Sequence, residues 1–264
     1  MQEFWLKQDK DKPLFPDIVW SRPENKAQAG KLLIFGGNVH SFNAVNTAYS
    51  ESIKAGIGST RVLLPDSLQK TLHKFLPEAD YAPSTPSGSL ATQALAQILD
   101  EAAWADCVLA PGGLGKNSET AVLMEKVLDK YSSWLVLAGD AVDSLSLNSA
   151  KLSARPKTLL VLNISQLQKI AITLKSPRAF TSRLPLSNFV NVTHEFMEGK
   201  QANIVIIRGD QVIAADNKRV VSTSLASPTP DINLVKVAAY CAAWLAMPTS
   251  SALETVASAI AQIN

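Results

Sequence analysis

An α/β fold, with a mostly parallel sheet covered by helices on both faces and finished by a short β-meander, is what this sequence predicts. Three observations carry the prediction. Apolar runs of four or five residues alternate with helix-length segments along most of the chain. Five strand-like runs end in short turns, and four of those turns carry glycine. Near residue 203 the rhythm changes to three short strand-like runs in close succession.

Residues 1–29 are polar, with Pro13, Pro16 and Pro23, and read as an N-terminal arm lying over a single domain of residues 30–264. Lys31 to Phe35 is the first expected strand, ending at Gly36-Gly37. A helix pattern from about Asn43 to Ala55 stops at Gly56 and Gly58, and Thr60 to Leu64 reads as the second strand. A short helix is expected over Ser67 to Phe75, a loop over residues 83–89, and a helix over Leu90 to Ala103. Cys107 to Ala110 is a strand running into Pro111-Gly112-Gly113-Leu114-Gly115, followed by a helix over Ser118 to Lys130 with Ser118 as N-cap. Trp134 to Ala138 ends at Gly139-Asp140, and Thr158 to Leu162 precedes a helix from Ser165. The meander is Asn203 to Ile207, Gln211 to Ala215 and Arg219 to Ser222; helices at about 231–246 and 249–262 close the chain.

Composition narrows the function classes. The 25 basic and 23 acidic residues nearly balance, so neither nucleic acid nor an anionic membrane is called for. The longest apolar stretch, Ile232 to Met247, holds Asn233 and Lys236 and suits a buried helix better than a membrane span. The polar start, Met1 to Lys12, lacks the apolar core of a signal peptide, and Cys107 and Cys241 read as buried thiols; together they suggest a cytoplasmic protein. His40, His73 and His194 are scattered, so no protein-built metal site is expected.

In open α/β sheets, ligands bind beyond the carboxyl ends of the strands. Here those ends carry Gly36-Gly37, Pro111 to Gly115, Gly139-Asp140, Arg208-Gly209 and Pro228-Thr229-Pro230-Asp231. Glycines also make tight turns with no ligand, but five such ends favour a shared cleft. The chain has no Gly-x-Ser-x-Gly elbow and no P-loop, and Gly36-Gly37-Asn38 lacks the spacing of a dinucleotide fingerprint.

The order and wording of these turns resemble the ADP/ATP-dependent NAD(P)H-hydrate dehydratase family. The opening Lys31-Leu-Leu-Ile-Phe-Gly-Gly-Asn38, then Asn43-Ala44, then Lys54-Ala-Gly-Ile-Gly58 is similar to its first strand and helix. Leu76-Pro-Glu-Ala79, Ala105 to Gly115 and Ile204 to Gly209 resemble further segments, in the same order, over roughly residues 30–260. The resemblance implies a ribokinase-like three-layer sandwich. It also implies a lyase that repairs hydrated NADH or NADPH, using ATP or ADP with magnesium: the substrate hydroxyl is phosphorylated and phosphate then eliminated. Asp231 would be the base. Arg208, Gly209, Asp210, Thr229 and Pro230 would meet the nucleotide, and Gly37, Asn43, Ala44, Gly112, Gly113, Gly115, Asp140 and Asn163 the substrate.

The departures bear on activity. The family ends one strand with Asp-Ala-Asp where this chain has Ala138-Gly139-Asp140. The positions of a family histidine and glutamate are Asn163 and Gln166, and its Gly-Thr-Gly-Asp turn is Pro228-Thr-Pro-Asp231. Proline has no N–H, so two backbone donors of the phosphate cup are gone. Losing one such donor costs about 3 kcal/mol in transition-state stabilisation. A non-catalytic relative that binds a nucleotide or a partner chain is therefore the alternative, and a small-molecule kinase on the same fold is a further one. Self-association through the apolar segments 232–247 and 252–263 is a third expectation. Without a ligand, Asp231 reads as a first-turn helix residue, Asp140 as a turn or cap residue, and Arg208 as a surface residue.

Overall fold

A computed structural model describes residues 3–74, 76, 78–225 and 233–263. Ten strands form one sheet: β1 (Trp5–Asp9), β2 (Lys31–Phe35), β3 (Ser59–Pro65), β4 (Asp80–Ala82), β5 (Cys107–Ala110), β6 (Trp134–Ala138), β7 (Thr158–Leu162), β8 (Asn203–Arg208), β9 (Gln211–Ala215) and β10 (Val220–Ser224). Their order across the sheet is β1-β10-β9-β8-β7-β6-β5-β2-β3-β4. From β8 to β4 every pairing is parallel. The antiparallel pairs β8–β9 and β9–β10 are the expected meander.

Eleven α-helices flank this sheet among the described residues: α1 (Pro16–Trp20), α2 (Asn43–Lys54), α3 (Gln69–Leu72), α4 (Leu95–Trp104), α5 (Ser118–Lys130), α6 (Asp140–Ser144), α7 (Ser149–Ala154), α8 (Ile164–Thr173), α9 (Leu186–Met197), α10 (Leu234–Leu245) and α11 (Ala252–Ala261). Side chains alternate across each strand, so one strand feeds two cores. Leu32, Ile34, Cys107 and Leu109 join one core under α2, α10 and α11. Leu33, Phe35, Val108 and Ala110 join the other, under α4, α5, α8 and α9. Helix, sheet and helix thus make three layers.

The central strands are β-branched or leucine-rich and fully buried, as strands covered on both faces must be. α10 is apolar around nearly its whole circumference because it lies in the middle of its layer, against α2, α11 and the strands beneath.

Four elements and one helix cap differ from expectation. Residues 5–9, within the segment expected to lie over the domain as an arm, form an edge strand paired in parallel with β10. The short strand β4 and the helices α6 and α7 were not expected. The N-cap of α5 is Asn117 rather than Ser118: its side-chain oxygen accepts the N–H groups of Glu119 and Thr120.

Candidate active site

The direction of strand succession reverses beside β2. From β2 the chain adds β3 and β4 on one side, and β5 to β8 on the other. The crevice between β2 and β5, beyond their carboxyl ends, is therefore the switch point at which such sheets bind ligands. Both of its walls are glycine turns.

The two turns lie in contact. A Cβ added at Gly36 would sit 2.9 Å from the Gly112 carbonyl oxygen, and one added at Gly113 would sit 3.6 Å from the Gly37 Cα. The side chain of Asn38 pins them: its Nδ2 donates to the Gly113 carbonyl at 2.6 Å, and its Oδ1 accepts the His40 N–H at 2.8 Å. The end of β6 completes the wall. Gly139 has φ of 57° and ψ of −141°, a conformation that favours glycine, and a Cβ there would lie 2.9 Å from the Pro111 carbonyl oxygen.

Asp140, the first residue of α6, points into this turn. Its Oδ1 accepts the Leu114 N–H and its Oδ2 the Gly115 N–H, each at 3.1 Å. The glycine turn thus already cups an anion, and that anion belongs to the protein. Charge-assisted bonds of this kind are stronger than neutral ones, so Asp140 fixes the turn while leaving these two donors engaged.

Just after β7, the next strand, Asn163 and Gln166 make a reciprocal capping box at the start of α8. The Gln166 N–H donates to Asn163 Oδ1 at 2.8 Å, and the Asn163 N–H to Gln166 Oε1 at 3.2 Å. The Gln166 amide then donates to the Gly139 carbonyl at 2.8 Å and to Asp143 Oδ2 at 3.0 Å. The Asn163 side chain is spent on capping α8, and that of Gln166 on tying α8 to the β6 turn.

Beside Asp140 a cleft of about 380 Å³ opens between α5, α6 and α8, lined by Lys116, Asn117, Asp143 and Lys169 among others. Lys169 pairs with Asp143 at 2.8 Å. Mixed charges around a polar hollow suit a ligand that carries phosphates and hydroxyls.

Further along, Arg208 ends β8. Its Nη2 donates to the Ser182 carbonyl at 2.9 Å and also to that of Leu184, with the guanidinium over the Phe189 ring at 4.9 Å. Its Nε is buried without an acceptor among the described residues. Gly209 and Asp210 are the two-residue turn of the β8–β9 hairpin; Gly209 takes positive φ and Asp210 does not, as a type II′ turn requires.

The structure therefore brings Gly37, Gly112, Gly113, Gly115 and Asp140 together, with Asn163 just beyond the end of the strand next to β6. Asn43 and Ala44 open α2, above the Gly37 turn. Arg208, Gly209 and Asp210 lie two strands beyond β6. Thr229, Pro230 and Asp231, expected to hold the nucleotide and the base, fall outside the described residues, as does Pro228. Sequence reasoning missed Asp143, Lys116 and Lys169. Asp143 was legible as the next carboxylate on the face of Asp140, three residues on.

Comparison with known proteins agrees with this architecture. No family model matches the chain. A bifunctional NAD(P)H-hydrate repair enzyme from Moorella thermoacetica is 27% identical over 131 residues, 49% of this chain and 25% of that protein. An ADP-dependent (S)-NAD(P)H-hydrate dehydratase from Enterococcus faecalis is 21% identical over 201 residues, 75% of this chain. The matched regions span a quarter and 62% of these two relatives' own lengths. Among solved structures, a ribokinase-like superfamily protein from E. faecalis superposes with a TM-score of 0.72 at 19% identity, covering 98% of this chain and 86% of that one. The ADP/ATP-dependent NAD(P)H-hydrate dehydratase of Bacillus subtilis, co-crystallised with ATP and magnesium, gives 0.61 at 15% identity, covering 94% and 86%. The fold is ribokinase-like.

Proposed function

We propose that this chain, a divergent relative of the NAD(P)H-hydrate dehydratases, binds a hydrated nicotinamide dinucleotide in the crevice between β2 and β5 and dehydrates it with ATP or ADP. The observation that carries the reading is the meeting of the Gly36-Gly37, Pro111 to Gly115 and Gly139-Asp140 turns at the switch point. Glycine backbone lets a flat ring approach closely, and Asn38, Lys116 and Lys169 supply donors around it.

Arg208 is the candidate for holding the nucleotide, since a guanidinium suits phosphate oxygens and the Ser182 and Leu184 carbonyls engage only its Nη2. Asp231 is the candidate base for the substrate hydroxyl. Magnesium would accompany the phosphates of the nucleotide. The nucleotide supplies the phosphoryl group that turns a hydroxyl into a leaving group.

The test is recovery of NADH absorbance from hydrated NADH in the presence of nucleotide and magnesium, in the wild-type protein and Asp231→Asn. Turnover lost in the variant supports the proposal; background rates in both proteins reject it.

The capping box favours a second reading, binding without turnover. Asn163 and Gln166 stand where the family carries a histidine and a glutamate, and both are committed to helix and turn structure. Calorimetry with ATP, ADP and NADH separates the two: tight binding with no turnover selects this second reading.

A further inference from the structure

A second hollow lies at the opposite end of the sheet. At the amino ends of the strands, a cavity of about 370 Å³ is enclosed by the segment after α1 and the turn joining α10 to α11. Its walls are largely apolar, with Ile18, Trp244, Met247 and Pro248 among them. A shallower groove of about 470 Å³ continues from it past Met247 and Thr249 towards Lys31 and Lys157.

Arg22 is the one charged residue lining the cavity, and among the described residues no carboxylate faces it there. Its guanidinium is clamped from two sides. The Nη2 donates to the Ala55 carbonyl at the carboxyl end of α2, and the plane stacks on the Trp244 ring at 4.1 Å. Gly56 makes the approach possible, because a Cβ there would lie 2.7 Å from Nη2. This clamp accounts for one hydrogen bond of a group that offers five N–H donors.

Two donors in the same lining are left over. The Arg22 Nε–H and the Trp244 Nε1–H are both buried without an acceptor among the described residues, and Trp244 is only 2% exposed. A buried donor without an acceptor costs about 1–3 kcal/mol. Burial also pushes the Arg22 pKa down from its ordinary value, a measure of how much water the cation has given up. Both of those buried nitrogens are closed to solvent, so what Arg22 offers the cavity is Nη1, which has no hydrogen bond among the described residues and is not enclosed; an acidic group there would neutralise the cation. The apolar walls and the stacked indole select what that acid is attached to, and the volume sits at the small end of ligand pockets.

We propose that this cavity is a binding site for a small organic carboxylate with a flat apolar body, its carboxylate held by the Nη1 donors of Arg22 where the guanidinium lies over the Trp244 ring. The guanidinium fork matches a planar carboxylate, and the body lies against Met247 and Pro248. This site is separate from the crevice between β2 and β5 and does not rest on the dehydratase reading.

Isotope-labelled indole N–H resonances of the full chain test it, with the Trp244 signal assigned from Trp244→Phe. Benzoate and indole-3-acetate are the probes, and benzamide is the neutral control. Either acid is expected to move the Trp244 N–H signal saturably below about 10 mM, with benzamide leaving it in place. Arg22→Gln is expected to weaken the acid at least roughly tenfold. Ser250→Trp plugs the exposed mouth while keeping the guanidinium, and is expected to do the same where the first variant folds poorly. No saturable shift with either acid, equal binding of benzamide, or unchanged affinity in Ser250→Trp overturns the proposal.

Discussion

The Asp140 carboxylate closes the turn that holds Gly115: one oxygen takes the Gly115 N–H at 3.1 Å while the other takes the N–H of Leu114. A side chain at the end of β6 therefore sets the backbone conformation at the end of β5. Asp140→Asn replaces one acceptor by an NH₂ group facing an N–H. The variant is expected to lose about 1–3 kcal/mol of stability, read from the urea midpoint. An unchanged midpoint contradicts this role.

Gly139→Ala probes the same wall from the backbone. Its positive φ and the 2.9 Å distance to the Pro111 carbonyl leave no room for a methyl group. The expected cost is about 1–3 kcal/mol, with a weaker response to nucleotide or dinucleotide ligands. A fully stable alanine variant would show that the turns separate without penalty.

Restoring the family residues at the capping box separates stability from chemistry. Asn163→Ala alone is expected to cost about 1 kcal/mol, the usual worth of such a cap. Gln166→Glu sets a carboxylate against the Gly139 carbonyl and Asp143, where the amide now donates, and is expected to cost about 1–3 kcal/mol. If the combined Asn163→His and Gln166→Glu variant gains turnover on hydrated NADH over the wild type, the native pair is what limits the chemistry.

Arg208 tethers the segment before α9 through the Ser182 and Leu184 carbonyls. Arg208→Met keeps the stacking on Phe189 and removes both bonds. Limited proteolysis is expected to cleave residues 181–185 several-fold faster in the variant; equal rates would show that the segment is held by other contacts.

Burial pushes the Cys107 and Cys241 thiols far above their ordinary values, and both are fully enclosed. At pH 8 they remain protonated and unreactive. Labelling by iodoacetamide is expected to proceed only through opening of the fold, so its rate should rise in step with unfolding as urea is added. Prompt labelling of the native protein would contradict the enclosure.

Much of this fold was legible because it rests on strong local signals. The strands β2, β5, β6, β7, β8 and β9 each hold at least four apolar residues in a row, β3 holds Val62, Leu63 and Leu64, and the turns after β2, β5 and β6 carry glycines that the backbone needs. β1 was hidden because Lys7, Gln8 and Asp9 look like surface residues. Gln8 is in fact 4% exposed, its amide satisfied by Thr223 and the Ala257 carbonyl, partners that only the tertiary fold supplies. α6 and α7 are short and rich in serine and aspartate, with no amphipathic period to announce them. In the site, the glycine turns could be read, but the commitment of Asp140 to two backbone amides could not. It depends on the meeting of β5 and β6 rather than on either stretch alone.

The pairing of β1 with β10 carries a consequence for biogenesis. Gln8 and Thr223 are partners 215 residues apart, so the ribosome releases one long before the other exists. At ordinary elongation rates that interval is roughly 10–40 s. Throughout it the first strand of the nascent chain has no sheet edge to zip onto, because the strand it pairs with is not yet made.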